Sequence, residues 1–156
     1  MKKMTIWGIG PKIMIPGYSV LVILSWLPIK LSISGIINVP KNFLAAIALI
    51  IICIGIIMLA MANAEIKKAL GTNQLVTAGL FSRIRNPMYA AHIYFLMPGL
   101  CLLTNNAITL FSVFCTVIIF LILIPKEEKD LEENFGIEYL EYKTRVGRLL
   151  PKFTNW

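Results

Sequence analysis

The chain has 156 residues, of which 58% are hydrophobic and only 15% charged, with a mean hydropathy of +0.78. Soluble domains carry about 25% charged residues, so this composition excludes an ordinary water-soluble enzyme and points to a protein embedded in lipid. The net charge of +7 would suit a nucleic acid in a soluble chain. Here the basic residues sit between apolar runs, where membrane topology and anionic lipid account for them, so no nucleic-acid partner is expected.

In chain order, Lys2, Lys3 and Lys12 precede an apolar run from Ile13 to Ile29 that contains Pro16, Gly17 and Pro28. A basic start before an apolar run also describes a signal peptide, but no small-residue cleavage site follows, so a retained first span over about 13–30 is expected. Phe43 to Ala62 is twenty residues without a charge. That is long enough to cross about 30 Å of hydrocarbon and gives a second span over about 43–63. Ala60 and Ala64 are spaced for a small-residue contact with another helix.

Glu65 to Asn86 reads as the longest polar connection, with turns at Gly71 and Gly79. Pro87 suits a first helical position, where its missing N–H costs nothing, so a third span starts there, runs to about 103 and is kinked by Pro98-Gly99. Thr104, Asn105 and Asn106 make a charge-free turn into a fourth span over about 107–125, so the last two spans form a helical hairpin. After Pro125 the pattern changes to an amphipathic helix, KEEKDLEENF, ended by Gly136, and then a second, IEYLEYKTRV. Leu131, Phe135, Tyr139, Tyr142 and Val146 form a stripe able to lie on the membrane or over the central loop.

The expected fold is therefore all-α: an integral membrane protein with four transmembrane helices and a C-terminal amphipathic helical segment. Four spans put both termini on one side, which collects thirteen basic residues, including Lys67, Lys68, Arg83 and Arg85, against Lys30 and Lys41 on the other. That bias places both termini, the central loop and the C-terminal segment in the cytoplasm.

The chemistry concentrates in LVTAGLFSRIRNPMYAAH, Leu75 to His92. Arg85, Tyr89 and His92 recur at spacings of four and three, which puts them on one helical face at the mouth of the third span. Polar groups at such a position either line a cavity or pathway, because lipid solvates them poorly, or are an arginine pair anchored to lipid headgroups with a histidine packed against a neighbouring helix. Glu127 and Glu128 fall within a turn of the end of the fourth span. The hairpin sets those two ends side by side, so an arginine–glutamate pair is expected. One cation, carboxylates and aromatic walls suit a zwitterionic cofactor, in particular a sulfonium with an amino-acid tail. Cys53, Cys101 and Cys115 lie in apolar runs without CxxC spacing, and the chain has a single histidine, so packing roles and no metal site are expected.

LVTAGLFSRIRNPMY, the TNN turn and EEKDLEENFGIEYLEYKTRVGRLLP together resemble the isoprenylcysteine carboxyl methyltransferase family of integral-membrane enzymes and their relatives, the phospholipid methyltransferases. The resemblance implies one membrane methyltransferase domain over 1–156, with S-adenosylmethionine bound by the half from 75 to 151. It further implies that Leu75, Val76, Thr77 and Gly79, with Arg85, Tyr89 and Glu127, form the cofactor pocket or its rim. The C-terminal motif that closes over the cofactor would contain Glu128, Gly136, Tyr139, Tyr142 and Arg145. Asn86 and His92 are further candidate cofactor contacts, and Arg85, Glu127 and Glu128 the candidate catalytic residues. The implied partners are the bilayer and a lipophilic acceptor: a prenylcysteine carboxylate, a phospholipid amine or a small lipophilic group.

Three positions depart from the family pattern. Asn86 stands for the usual histidine and cannot titrate, Phe81 stands for tyrosine, and Ala91 for glycine. Two rival readings are an NADPH-dependent enzyme like the membrane sterol reductases, whose cofactor phosphates would want Arg83 and Arg85, and a non-catalytic membrane scaffold docking through its C-terminal helices. The sterol reductases are much larger, with more than four spans, and the intact arginine and glutamates argue against a scaffold.

Overall fold

Long runs of Ile, Leu, Ala and Met without charge leave the backbone no partner but itself, and helices result. The computed structural model describes residues 9–32, 35–69 and 74–152; Lys2, Lys3 and the turn expected at Gly71 lie outside them. Among the described residues there is no named strand, only isolated bridges between Ile36 and Asn106 and between Ile84 and Gly147.

Helix α1 spans Gly10–Leu31 and ends at Ser32, whose φ of 54° lets its N–H reach the Pro28 carbonyl. Helix α2, Lys41–Ala69, runs beyond the expected boundary at 63. The start of the polar connection is thus helical, because AEIKKA is made largely of good helix formers and Lys68 pairs with Glu65 at 3.1 Å.

The third helical stretch, α3, covers Pro87–Leu103 with Pro87 in its first turn. The kink expected at Pro98-Gly99 takes the form of a π-helical turn, His92–Leu96, closed by the Met97 N–H on the His92 carbonyl. Pro98 has no N–H to give Tyr94, and the wider turn re-pairs the backbone just ahead of it. The Thr104–Asn106 turn is present, with Asn105 at φ 52°. The Asn106 side chain then accepts from the Ile108 N–H to cap a 3₁₀ turn, Ala107–Leu110.

Helix α4, Phe111–Phe135, differs from expectation at Pro125, which lies inside it. The amphipathic segment after Pro125 continues the last span instead of starting a new helix. Proline removes one N–H, while Ile124 and Glu128 on either side of it are buried and hold the helix on course. Gly136, at φ 57°, ends α4 and leads into α5, Ile137–Arg145.

Among the described residues, three stretches are long and apolar enough to cross a membrane: Gly10–Pro28, Lys41–Ala69 and Ala107–Phe135. The stretch α3 is apolar but shorter, at 17 residues, which is about 26 Å of helix. In α4 the charged run from Lys126 marks where the apolar part ends. Helix α1 packs on α4, and α2 packs on α3. Ile13, Tyr89, Ile93, Phe120 and Ile124 form one core cluster, and Leu21, Met97 and Cys101 a second. Ala60, Ala64 and Cys53 face outward from α2, beside the exposed Ile50 and Ile57.

The α1–α4 seam has no slack at Gly17, where a Cβ would lie 2.2 Å from Thr116 Oγ1. Gly17→Ala should therefore destabilise the protein by about 1–3 kcal/mol, as overpacking does. The check is the thermal midpoint in detergent, with Thr116→Ala recovering part of the loss in the double variant.

Candidate functional site

The central loop runs extended to Ala78 and then turns at Gly79, whose φ of 59° opens the 3₁₀ turn Gly79–Ser82. Here a side chain would be strained and would also press on Glu65, since a Cβ at Gly79 lies 3.1 Å from its Cγ. The chain next pairs with the C-terminal tail. The Arg85 N–H donates to the Gly147 carbonyl at 2.7 Å, and the Asn86 N–H donates to the Arg148 carbonyl at 3.0 Å. Asn86 Nδ2 reinforces this by donating to the same Arg148 carbonyl at 3.2 Å. The Tyr142 hydroxyl donates to the Phe81 carbonyl at 2.6 Å, and Leu75, Leu131 and Phe135 pack around Tyr139, Tyr142 and Val146. The aromatic stripe thus lies over the loop, one of its two expected places.

Within this frame Glu128, only 3% exposed, is the electrostatic centre. Arg85 Nη2 lies 3.1 Å from its Oε1. Arg148 grips it with two bonds, Nε to Oε1 at 2.8 Å and Nη2 to Oε2 at 2.7 Å. Lys143 Nζ is 3.7 Å from Oε2 and is shared with Glu132. Burial pushes the Glu128 carboxyl up, but the hydrogen bond from Arg148 and the charges of Arg85, Arg148 and Lys143 outweigh it and hold the group below its ordinary value. The Arg85 side chain is 6% exposed, and its Nε and Nη1 are buried without a hydrogen-bond partner. Beside it, burial and the Glu128 charge push the Tyr139 hydroxyl up to about 12.

Glu127 has different surroundings. Its Oε2 accepts from the Tyr89 hydroxyl at 2.9 Å, and it also meets the backbone of Ile9 just ahead of α1. Burial dominates there and raises its carboxyl above the usual range, despite the bonds from Tyr89 and Ile9. His92 is placed against α1, with Nδ1 2.8 Å from the Tyr18 hydroxyl and the two rings edge-to-face.

The structure brings Arg85 and Glu128 together as expected, and sets Leu75, Tyr139 and Tyr142 beside them. Arg85 lies in the loop ahead of α3 and not on one helical face with Tyr89 and His92, because its N–H pairs with the tail; the three reach different partners: Glu128, Glu127 and Tyr18. Val76 is half-buried, while Thr77 and Gly79 are exposed on the loop. Sequence reasoning missed Arg148 and Lys143. Arg148 stood in the quoted VGRLLP stretch, but nothing local tied it to a carboxylate twenty residues earlier. The departures also gain an account. Asn86 serves as a donor to the tail, which needs no titratable group, and at Phe81 the carbonyl receives Tyr142. Ala91 is fully buried.

Comparison with known proteins gives two matches. The sequence model of the family described as phospholipid methyltransferase matches residues 41–138. Protein-S-isoprenylcysteine O-methyltransferase of Saccharomyces cerevisiae is 35% identical over 77 residues, which is 49% of this chain and 32% of that protein. The chain thus matches about a third of that relative's length.

Glu128 supplies a test of the geometry. A carboxyl held below its unfolded value of 4.5 adds stability that is fully present above that pH and is lost as pH falls through the lower folded value. The thermal midpoint should accordingly drop on acidification below about pH 4.5. Glu128→Gln should flatten that limb and cost about 3 kcal/mol or more at neutral pH, because it leaves Arg85 buried and unpaired.

Proposed function

Since the chain belongs to the phospholipid methyltransferase family by the match over residues 41–138, we propose that it is an integral-membrane methyltransferase that uses S-adenosylmethionine and acts on a lipophilic acceptor presented from the bilayer. The observation that carries this reading is Arg85. A guanidinium buried to this depth pairs with Glu128, meets the Tyr139 hydroxyl, and leaves Nε and Nη1 without a hydrogen-bond partner. Unpaired buried donors cost about 1–3 kcal/mol each, so the site favours a ligand that brings an anionic acceptor. A carboxylate such as the amino-acid tail of the cofactor fits that need.

The aromatic groups beside it suit the same ligand. The rings of Tyr139 and Tyr142 offer aromatic surface to a sulfonium. Leu75, Val76, Thr77 and Gly79 form the loop over the site, and Asn86 and the tail close its side. When bound, the cofactor supplies an electrophilic methyl group. The chain's residues orient it and exclude water, so most of the rate comes from positioning and electrostatics. Here Arg85 and Glu128 are holding groups, while Glu127, paired with Tyr89, stands nearer the bundle. The orientation in this reading has four crossings, with α3 as the short third one, and both termini and the clasp on the cytoplasmic side. The acceptor is a lipid amine, a prenylcysteine-like carboxylate or another lipophilic nucleophile.

Purified protein in detergent should bind methyl-labelled S-adenosylmethionine and be stabilised by it against heat, and not by NADPH. Arg85→Lys, which keeps the charge but loses the fork, should weaken binding at least about tenfold. Protection by NADPH alone, or unaltered binding by the variant, would contradict the assignment.

A further inference from the structure

Below the clasp the bundle holds a second polar pair that the cofactor reading does not use. His92 is the single histidine of the chain. It opens the π-helical turn His92–Leu96, a distortion found mostly at functional positions. Nδ1 is engaged by Tyr18 at 2.8 Å. Its Nε2 has no hydrogen bond among the described residues, yet is not one of the enclosed, unpartnered polar atoms, so it is both free and reachable.

Tyr18 in turn stands on α1 among Met14, Ile15, Ser19, Val22 and Ile23. Ile15, Val22 and Ile23 are more than half exposed on the apolar outer surface of the helix. The pair therefore stands where a lipid-facing helix surface meets the interior. His92 follows Tyr89 by about one turn along α3, further from the loop that carries Arg85. Tyr18 is on α1, outside the family match over residues 41–138. An ionisable side chain in an apolar bundle is retained against a cost, and a solvated lipid-facing position would not need one.

Resting on the methyl-transfer reading, we propose that His92 Nε2 takes the proton released by the methyl acceptor, with Tyr18 as the residue that positions the ring. The acceptor is then a lipid-borne nucleophile with a proton to lose, an amine or a thiol, and not a carboxylate. In the tautomer this role needs, Nδ1–H donates to the Tyr18 oxygen and the lone pair is on Nε2. For an amine, the nitrogen lone pair forms the new N–CH₃ bond as the S–CH₃ bond breaks. The bonding pair stays on sulfur, which becomes a neutral thioether, and the surplus N–H proton passes to Nε2. A thiol gives its S–H proton to the same atom as its S–CH₃ bond forms. A carboxylate has none to give and would leave His92 idle.

The test uses the full chain in lipid nanodiscs with methyl-labelled S-adenosylmethionine and three acceptors of equal alkyl length: an amine, a thiol and a carboxylate. Label is expected in the amine or the thiol and not in the carboxylate. His92→Gln keeps a hydrogen-bonding side chain but cannot hold the proton at neutral pH, and should lower kcat roughly 100-fold with cofactor affinity unchanged. Tyr18→Phe should lower kcat about tenfold without raising the acceptor KM, which a packing defect at this surface would raise. Preference for the carboxylate, wild-type kcat in His92→Gln, or a Tyr18→Phe effect confined to KM overturns the inference. Should His92→Gln fail to fold, Tyr18→Phe decides alone. Cofactor binding without transfer to amine or thiol sinks this proposal only, whereas absence of cofactor binding sinks the methyl-transfer reading with it.

Discussion

A carboxylate removed from water must be matched by charge or it will not stay ionised, and Glu128 is matched from three separate parts of the chain. Arg85 comes from the loop ahead of α3, Lys143 from α5 and Arg148 from the tail. None is near Glu128 in sequence, so their convergence closes the end of the bundle. With Glu132 occupied by Lys143, three cations face two carboxylates. The cluster keeps a positive excess, and that excess is why Arg85 still has donors to offer.

The backbone follows the charges. Once Arg148 is held, its carbonyl is fixed where Asn86 donates to it twice, and the Gly147 carbonyl is fixed for the Arg85 N–H. Tyr142 ties α5 to Phe81, and the aromatic cluster lies beside the buried Arg85–Glu128 pair, while Lys143 and Arg148 remain partly exposed. Ion pairs, strap and apolar cover therefore depend on one another: exposing the cluster would screen the charges, and removing the charges would free the tail. The position where the family uses histidine is held by a neutral amide without loss of this arrangement, so its part here is to donate a bond and not to carry a proton.

What the sequence disclosed followed from local rules. Uncharged runs marked the long helices, Pro87 and Gly136 marked a start and a stop, and the hairpin placed Arg85 opposite the glutamates. Local rules also explain the failures. Proline at 125 reads as a boundary, but a helix anchored by Ile124 above and Glu128 below tolerates the loss of one hydrogen bond. The partners Arg148 and Lys143 approach Glu128 only through tertiary folding, and helical periodicity cannot name a contact across twenty residues. Tyr18 lies 74 residues from His92, on a helix outside the motifs that carried the resemblance, so nothing short of the packed bundle could join them.

Adjacent residues on a helix point about 100° apart, and that angle separates the fates of Glu127 and Glu128. Glu128 turns toward the cations and stays charged beside the strap. Glu127 turns toward the start of α1 and the Tyr89 hydroxyl, where burial favours its protonated form. One acidic dipeptide thus serves both faces of the same helix end: a fixed negative charge on the side of the clasp, and a hydrogen-bonding carboxyl on the side of the bundle, where Tyr89 leads on toward His92. On the proposed methyl-transfer reading, holding a charged donor and admitting a greasy acceptor need opposite electrostatic surroundings. A single turn of α4 offers both kinds because its neighbours, not its own composition, hold the Glu128 carboxyl below its ordinary value and the Glu127 carboxyl above it.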